Sequence, residues 1–200
     1  MIETATDACS VALFRDGEVV AAQHELIGRG HAERLIALIA NLPHGGQADH
    51  ILVSCGPGSF TGVRVGVAAA RGLALGWNCA VTGYSTLAAI AAQAFDQRVD
   101  DELAVVMHGG HGEVFVQRFT RAPFRALNAL ESVSVQVAVD TIPTQDVVGT
   151  AADALVAARG YGRAVAHRLA APSAQLLPID FLTLAPAPIY GRGADARPMS

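Results

Sequence analysis

The sequence predicts an α/β fold, and three observations carry that prediction. Residues 51–76 read as a buried strand, a glycine-rich turn and a long small-residue helix. Two hairpin signals recur: Arg15-Asp16-Gly17 between the strand-like runs 9–14 and 18–23, and His108-Gly-Gly-His111 between 103–107 and 113–119. Apolar residues at helical spacing fill 31–42 and 85–95 between such runs. Strands interleaved with helices imply mixed sheets with helices against them.

Taken in order, the first strand is almost missing, because Met1-Ile2 is all that precedes Glu3-Thr4. The helix at 31–42 carries Leu35, Ile36, Leu38 and Ile39 as its apolar stripe and ends at Pro43-His44-Gly45-Gly46. The apolar run 51–53 then stops at Gly56, Pro57 and Gly58, where proline fixes its own φ and the glycines allow a sharp turn. Ser59 or Thr61 is placed to cap the helix that runs to Gly76.

Inside that helix Gly62, Gly66 and Ala70 form one small-residue row, and Ala68, Gly72 and Gly76 a second. Glycine costs roughly 1 kcal/mol against alanine in a helix interior, so the two rows predict more than one closely approaching neighbour. Further on, 79–83 reads as a strand and 85–95 as a helix capped by Ser85. The polar stretch 97–101 divides the chain into lobes 1–98 and 99–200. In the second lobe, 133–139 alternates like a strand, 147–149 and 151–159 read as strand then helix, and 172–198 holds one short helix at most before an extended tail around Pro188-Ile189-Tyr190.

Composition narrows the function. With 52% hydrophobic residues in a chain of 200, a substantial core is expected. No apolar run reaches the roughly 18 residues of a membrane span and no signal-like start is present, which predicts a cytoplasmic protein with no membrane role. Net charge is −4; residues 1–100 hold six Arg against nine acidic residues, and 101–200 eight against nine. Neither half has the basic excess that direct nucleic-acid binding requires. Cys9, Cys55 and Cys79 lack CxxC spacing and are expected as small buried residues.

The glycine turn does not fit a nucleotide cradle. The chain contains no lysine for a P-loop, and Gly56, Gly58 and Gly62 have the wrong interval for a dinucleotide fingerprint. His108 and His111 are three apart, but nothing nearby completes a ligand set, so no metal is predicted. Arg64 and Arg71, seven apart, share a helix face, which is either solvated or the rim of an interface.

Gly56-Pro-Gly-Ser-Phe-Thr-Gly-Val-Arg-Val-Gly-Val-Ala-Ala-Ala-Arg-Gly-Leu-Ala resembles the signature of the TsaB (YeaZ) family, accessory subunits of the bacterial system that makes threonylcarbamoyladenosine in tRNA. Glu3-Thr-Ala-Thr-Asp-Ala-Cys-Ser-Val-Ala-Leu13, His31-Ala-Glu-Arg-Leu35, Gly112-Glu-Val-Phe-Val116 and Pro188-Ile-Tyr-Gly-Arg192 support it, while 121–173 matches only loosely. The resemblance implies an actin-like, ribonuclease H-like (ASKHA) fold of two similar lobes with mixed sheets flanked by helices, and it favours a helix at 133–139. Members open with a longer apolar strand before an Asp-Thr pair, so either the start lies upstream or a sheet edge is trimmed. In actin- and hexokinase-like folds that Asp helps organise metal and phosphate; Glu3 stands in its place, and His108 replaces the acidic residue expected in the second lobe. The paralogue TsaD carries His-x-x-x-His where His31 is followed by Leu35, which leaves His31 as a surface or capping residue.

The resemblance thus implies a non-catalytic scaffold with no cofactor. Its expected partner-binding residues are His31, Leu35, Leu38, Ile39, Thr61, Gly62, Arg64, Val65, Gly66, Ala69, Ala70 and Leu73, with the turn formed by Gly56, Pro57, Gly58 and Ser59. The expected partners are a TsaD-type catalytic subunit, an additional TsaE-type ATPase, a second copy when alone, and tRNA only indirectly. The alternatives are an active kinase, ATPase or metallopeptidase of the same fold, and a partnerless homodimer.

Overall fold

The computed structural model describes residues 1–97, 100–165 and 169–191. Asp16 and Gly17 both have positive φ, 51° and 82°, the two-residue geometry that matches strand twist. Strand β2 (Ala8–Arg15) therefore returns directly as β3 (Glu18–Leu26), after the two-residue β1 (Ile2–Glu3). With β4 (His50–Ser54) and β5 (Ala80–Tyr84) these form a sheet of order β3-β2-β1-β4-β5. The short strand thus lies at the centre of the sheet, not at its edge, so of the two alternatives the trimmed edge does not describe it. It pairs antiparallel with Ser10 and Val11 on one side and parallel with Val53 on the other. A cavity of about 660 Å³ lies beside it, lined by Met1, Leu13, Ile51, Trp77 and Leu182 among others.

The second sheet repeats the plan. β6 (Glu102–His108) pairs antiparallel with β7 (Glu113–Thr120), which carries β8 (Arg125–Ala126) and β9 (Glu131–Ser134) on its far side. β10 (Asp146–Val148) lies parallel to β6, and β11 (Arg163–Val165) parallel to β10. Each lobe thus has a central strand with an antiparallel hairpin partner on one side and a parallel strand on the other. Helices pack against both sheets, giving the two-lobed, mixed-sheet arrangement.

The lobes share a core through helix α3 (Thr86–Asp96), which Ser85 caps by accepting the Ala88 N–H. Leu87, Ile90 and Phe95 of α3 are buried in one cluster with Tyr84 of the first sheet and Leu103, Val105 and Phe119 of the second. Each such side chain contributes roughly 1.5–3 kcal/mol on burial, and a helix enclosed on all sides needs no polar stripe.

Several expectations are corrected. Residues 133–139 are neither all strand nor all helix: alternation ends at Ser134, whose Oγ accepts the Val137 N–H and starts α4 (Val135–Thr141). Short strands β8 and β11 carried no sequence signal. The tail holds two 3-10 turns, Ala171–Leu176 and Ile179–Leu182, where one short helix at most was expected. It then returns to the first sheet: Gly83 N–H donates to Leu184 O at 2.7 Å, and Ile189 N–H to Cys55 O at 2.7 Å. A division at residue 98 leaves out this return; Arg98 and Val99 at that boundary, and Arg192 and Pro198 in the tail, lie outside the described residues.

Helix α1 (His31–Ala40) buries Leu35, Leu38 and Ile39, but Ile36 is 52% exposed. It follows Leu35 by one residue and so turns about 100° away from the core.

Candidate functional site

Helix α2 (Phe60–Trp77) begins at the glycine turn, where Gly56 has a φ of 89°. Ser59 Oγ accepts the Gly62 N–H at 3.2 Å and caps the helix, while Ser59 N–H donates to Ala5 O at 2.7 Å. Thr4 Oγ1 donates to Gly62 O at 2.8 Å. The turn and the first small-residue row together seat residues 4 and 5: a Cβ on Gly58 of the turn would start inside the Ala5 carbonyl, one on Gly62 inside the Thr4 carbonyl, and one on Gly66 against Thr4 Oγ1.

The second row points the other way. Ala68, Gly72 and Gly76 are exposed, and a Cβ on Gly72 or Gly76 would meet nothing within 4 Å among the described residues. Leu75 beside them is 85% exposed, and Arg71 lies on the same outward side.

The expected partner-contact residues therefore divide. His31, Leu35, Leu38, Ile39, Gly62, Gly66 and Ala70 are buried within the chain itself, Val65, Ala69 and Leu73 are half-buried, and Thr61 and Arg64 are exposed. His31 is not the surface or capping residue expected: its Nε2 donates to the carbonyls of Thr6 at 3.1 Å and Ala8 at 3.2 Å. Spacing revealed both rows of α2, but not which of them faced inward, so Ala68, Gly72, Leu75 and Gly76 were not among the expected contacts.

Arg64 is engaged at the start of α2. Its guanidinium carbon lies 3.4 Å from the centroid of the Phe60 ring, and its Nε donates to Tyr190 Oη at 3.2 Å. Phe60 and Tyr190 remain 63% and 55% exposed. These aromatics border a cleft of about 610 Å³ between the glycine turn and the β6–β7 hairpin, which Glu113, Phe115 and Ser132 line from the other side.

Glu3 does not fit a metal–phosphate role. It is fully buried; Oε1 accepts the Ala5 N–H at 2.7 Å and Oε2 the Tyr84 O–H at 3.0 Å. Burial pushes its carboxyl up to about 7, although hydrogen bonds from Ala5, Ser54 and Tyr84 pull the other way. Burial likewise raises Tyr84 well above the usual tyrosine value, and Cys9 to about 11. Cys55 is raised by the same cause, so both buried thiols are poor nucleophiles. Cys79 is half-buried where full burial was expected.

His108 is exposed, with its backbone N–H on Thr150 Oγ1 at 2.9 Å, and His111 is an exposed left-handed turn residue with a φ of 58°. Among the described residues no group of three or more His, Cys, Asp or Glu is placed to hold a metal ion. Among them, too, no helix is long and apolar enough to cross a membrane.

Comparison with known proteins agrees with this geometry. The sequence model of the family described as TsaD, tRNA N6-adenosine threonylcarbamoyltransferase, matches residues 17–159. The tRNA threonylcarbamoyladenosine biosynthesis protein TsaB of Escherichia coli K12 is 38% identical over 125 residues, covering 60% of this chain and 54% of its own. The protein of the same description from Haemophilus influenzae is 37% identical over 130 residues, covering 62% and 55%. The chain thus spans about half the length of the curated relatives it matches. Two solved structures from Pseudomonas aeruginosa, each 25% identical, align over nearly the whole of both chains. One, described as similar to peptidase YeaZ, covers 96% and 97% with a TM-score of 0.77; the other, YeaZ, covers 94% and 97% with a TM-score of 0.73. With the glycine turn, the two-lobed fold and these matches together, the chain belongs to the family whose model is described as TsaD, tRNA N6-adenosine threonylcarbamoyltransferase, and TsaB (YeaZ) proteins are among its relatives.

Proposed function

We propose that this chain is a non-catalytic scaffold in tRNA threonylcarbamoyladenosine biosynthesis, binding a TsaD-type catalytic subunit through the outward face of α2. The observation that carries the reading is the second small-residue row. Glycines inside a helix are unfavourable, and Gly72 and Gly76 have no neighbour among the described residues that needs the space. A partner helix approaching closely over Ala68, Gly72 and Gly76, with Leu75 buried at its centre and Arg71 at its rim, offsets that cost. The buried residues of α1 and the inward row act in support, fixing the position of α2. Sealing of Glu3 inside the first lobe favours a scaffold over an independent nucleotide-hydrolysing enzyme.

On this reading the protein works in the cytoplasm, self-associates through the same face when alone, touches tRNA only through its partner, and joins any TsaE-type ATPase through the assembled complex. The test is light scattering after size-exclusion chromatography, on the chain alone and mixed with the TsaD-type subunit of the same organism, with wild type and Gly72→Arg. A heterocomplex lost in a folded Gly72→Arg variant supports the reading. No complex with wild type, or an undiminished one with the variant, overturns it. Gly66 is unsuitable for this purpose, since an arginine there would collide with Thr4 inside the chain.

A further inference from the structure

The exposed positions of α2 fall at 60–61, 64, 68, 71–72 and 75–76, a single stripe along the whole helix. Its only charges are Arg64 and Arg71, since residues 60–77 contain no acidic side chain. Seven residues apart, the two cations stand about two turns, roughly 10 Å, from each other along the axis. Arg64 is held in place: its guanidinium rests on the Phe60 ring, and its Nε donates to Tyr190 Oη at 3.2 Å. Its Nη groups make no hydrogen bond or ion pair among the described residues, and Arg71 makes none at all among them. Each cation also borders a hollow: Arg64 the cleft of about 610 Å³, and Arg71 an open hollow of about 560 Å³ shared with Leu75 and Pro186 among others. Glu113, the acidic residue lining the cleft, accepts the Ser132 O–H on its own wall at 2.7 Å.

A helix seated on Ala68 and Gly72, with Leu75 covered, must lie against both guanidiniums. Burying a guanidinium without a counter-charge is costly, and Arg64 is held between two rings rather than free to swing away. A wholly apolar partner would lose at both ends what it gains in the middle. A second copy meets a like cost, because two such stripes bring four cations together with no carboxylate of α2 to meet them, so self-association through this face is the weaker alternative. Carboxylates, in contrast, accept the forked N–H groups of arginine two at a time. Taking the outward face of α2 as the docking face proposed above, we infer that it receives a helix carrying two carboxylates about two turns apart, one reaching Arg64 and one Arg71, with apolar residues between them.

The full chain contains no lysine, so Arg64→Lys and Arg71→Lys each place one amine at a known point while keeping the charge. The amine of Met1 is engaged within the chain by the Ala12 carbonyl at 2.7 Å. Each variant is mixed with the TsaD-type subunit of the same organism and treated with a carbodiimide, which joins an amine to a carboxylate in contact with it. Mass spectrometry is expected to find each new amine coupled to one Asp or Glu of the partner, the two lying about seven residues apart on one helix. Independently of any variant, calorimetric titration of wild type with that subunit is expected to weaken at least about tenfold between roughly 50 and 500 mM salt. A complex that forms and is lost in Gly72→Arg, yet leaves either amine uncoupled or ignores salt, overturns the acidic helix and leaves the docking face standing. Coupling between copies of this chain in place of the partner overturns it as well. No complex with wild type overturns both.

Discussion

Thr4 grips Gly62 with both side chain and backbone: its hydroxyl donates to the Gly62 carbonyl at 2.8 Å, and its carbonyl fills the space where a Gly62 side chain would begin. A single methyl therefore has opposite effects on the two sides of α2. Gly62→Ala is predicted to destabilise by about 1–3 kcal/mol or more through overpacking against fixed backbone. Gly72→Ala, with open space around it, is predicted to stabilise the isolated chain by up to about 1 kcal/mol. Urea unfolding of the two variants should show shifts of opposite sign; shifts of the same sign would contradict the assignment of inward and outward rows.

The two serine caps should behave alike. Ser59 Oγ accepts from Gly62 N–H and Ser85 Oγ from Ala88 N–H, each relieving one unpaired donor at a helix start. Ser59→Ala and Ser85→Ala are each predicted to cost about 1 kcal/mol, and Asp at either position to recover most of it. Thermal unfolding reads this directly, and an Asp variant no better than Ala would argue against capping.

His31 is predicted to be structural. Removing its ring in His31→Ala leaves the Thr6 and Ala8 carbonyls without a donor and should cost about 1–3 kcal/mol. A chelator should leave the wild-type unfolding midpoint unchanged. A midpoint lowered by the chelator would instead assign His31 to a metal.

Asp146 should shape the acid limb of stability. The Arg163 guanidinium, aided by the Asp100 N–H, holds its carboxyl below the usual range. A lowered carboxylate contributes stability above its unfolded-state value and loses it as pH falls through the folded-state value. Because Arg163 is 60% exposed, solvent screens the pair, and Asp146→Asn is predicted to cost only about 1–2 kcal/mol at neutral pH. The difference between wild type and Asp146→Asn should shrink in acid; a constant difference would place its origin in packing.

Much of this architecture was legible beforehand, and the exceptions share a cause. The Asp16-Gly17 hairpin, both serine caps and the division of β6 and β7 around the 108–112 turn follow from local rules, which act over a few residues. β8 and β11 escaped because strands of two and three residues have no periodicity to detect; only their neighbours in the sheet make them strands. The tail escaped for the same reason, since its return to Gly83 and Cys55 joins residues more than a hundred positions apart.

The candidate site divides along the same line. By itself the sequence determined that residues 56–76 form a turn and a small-residue helix, and that His31 lacks a second histidine one turn on. Tertiary structure alone decided which small-residue row of α2 receives Thr4 and Ala5, that α1 spends Leu35, Leu38 and Ile39 on its own core, and that Glu3 is enclosed. A helical period tells which residues share a face, but it carries no information about what stands opposite that face. Only the packing of β1 beneath α2 supplies that, and with it the difference between a core contact and a surface left for a partner.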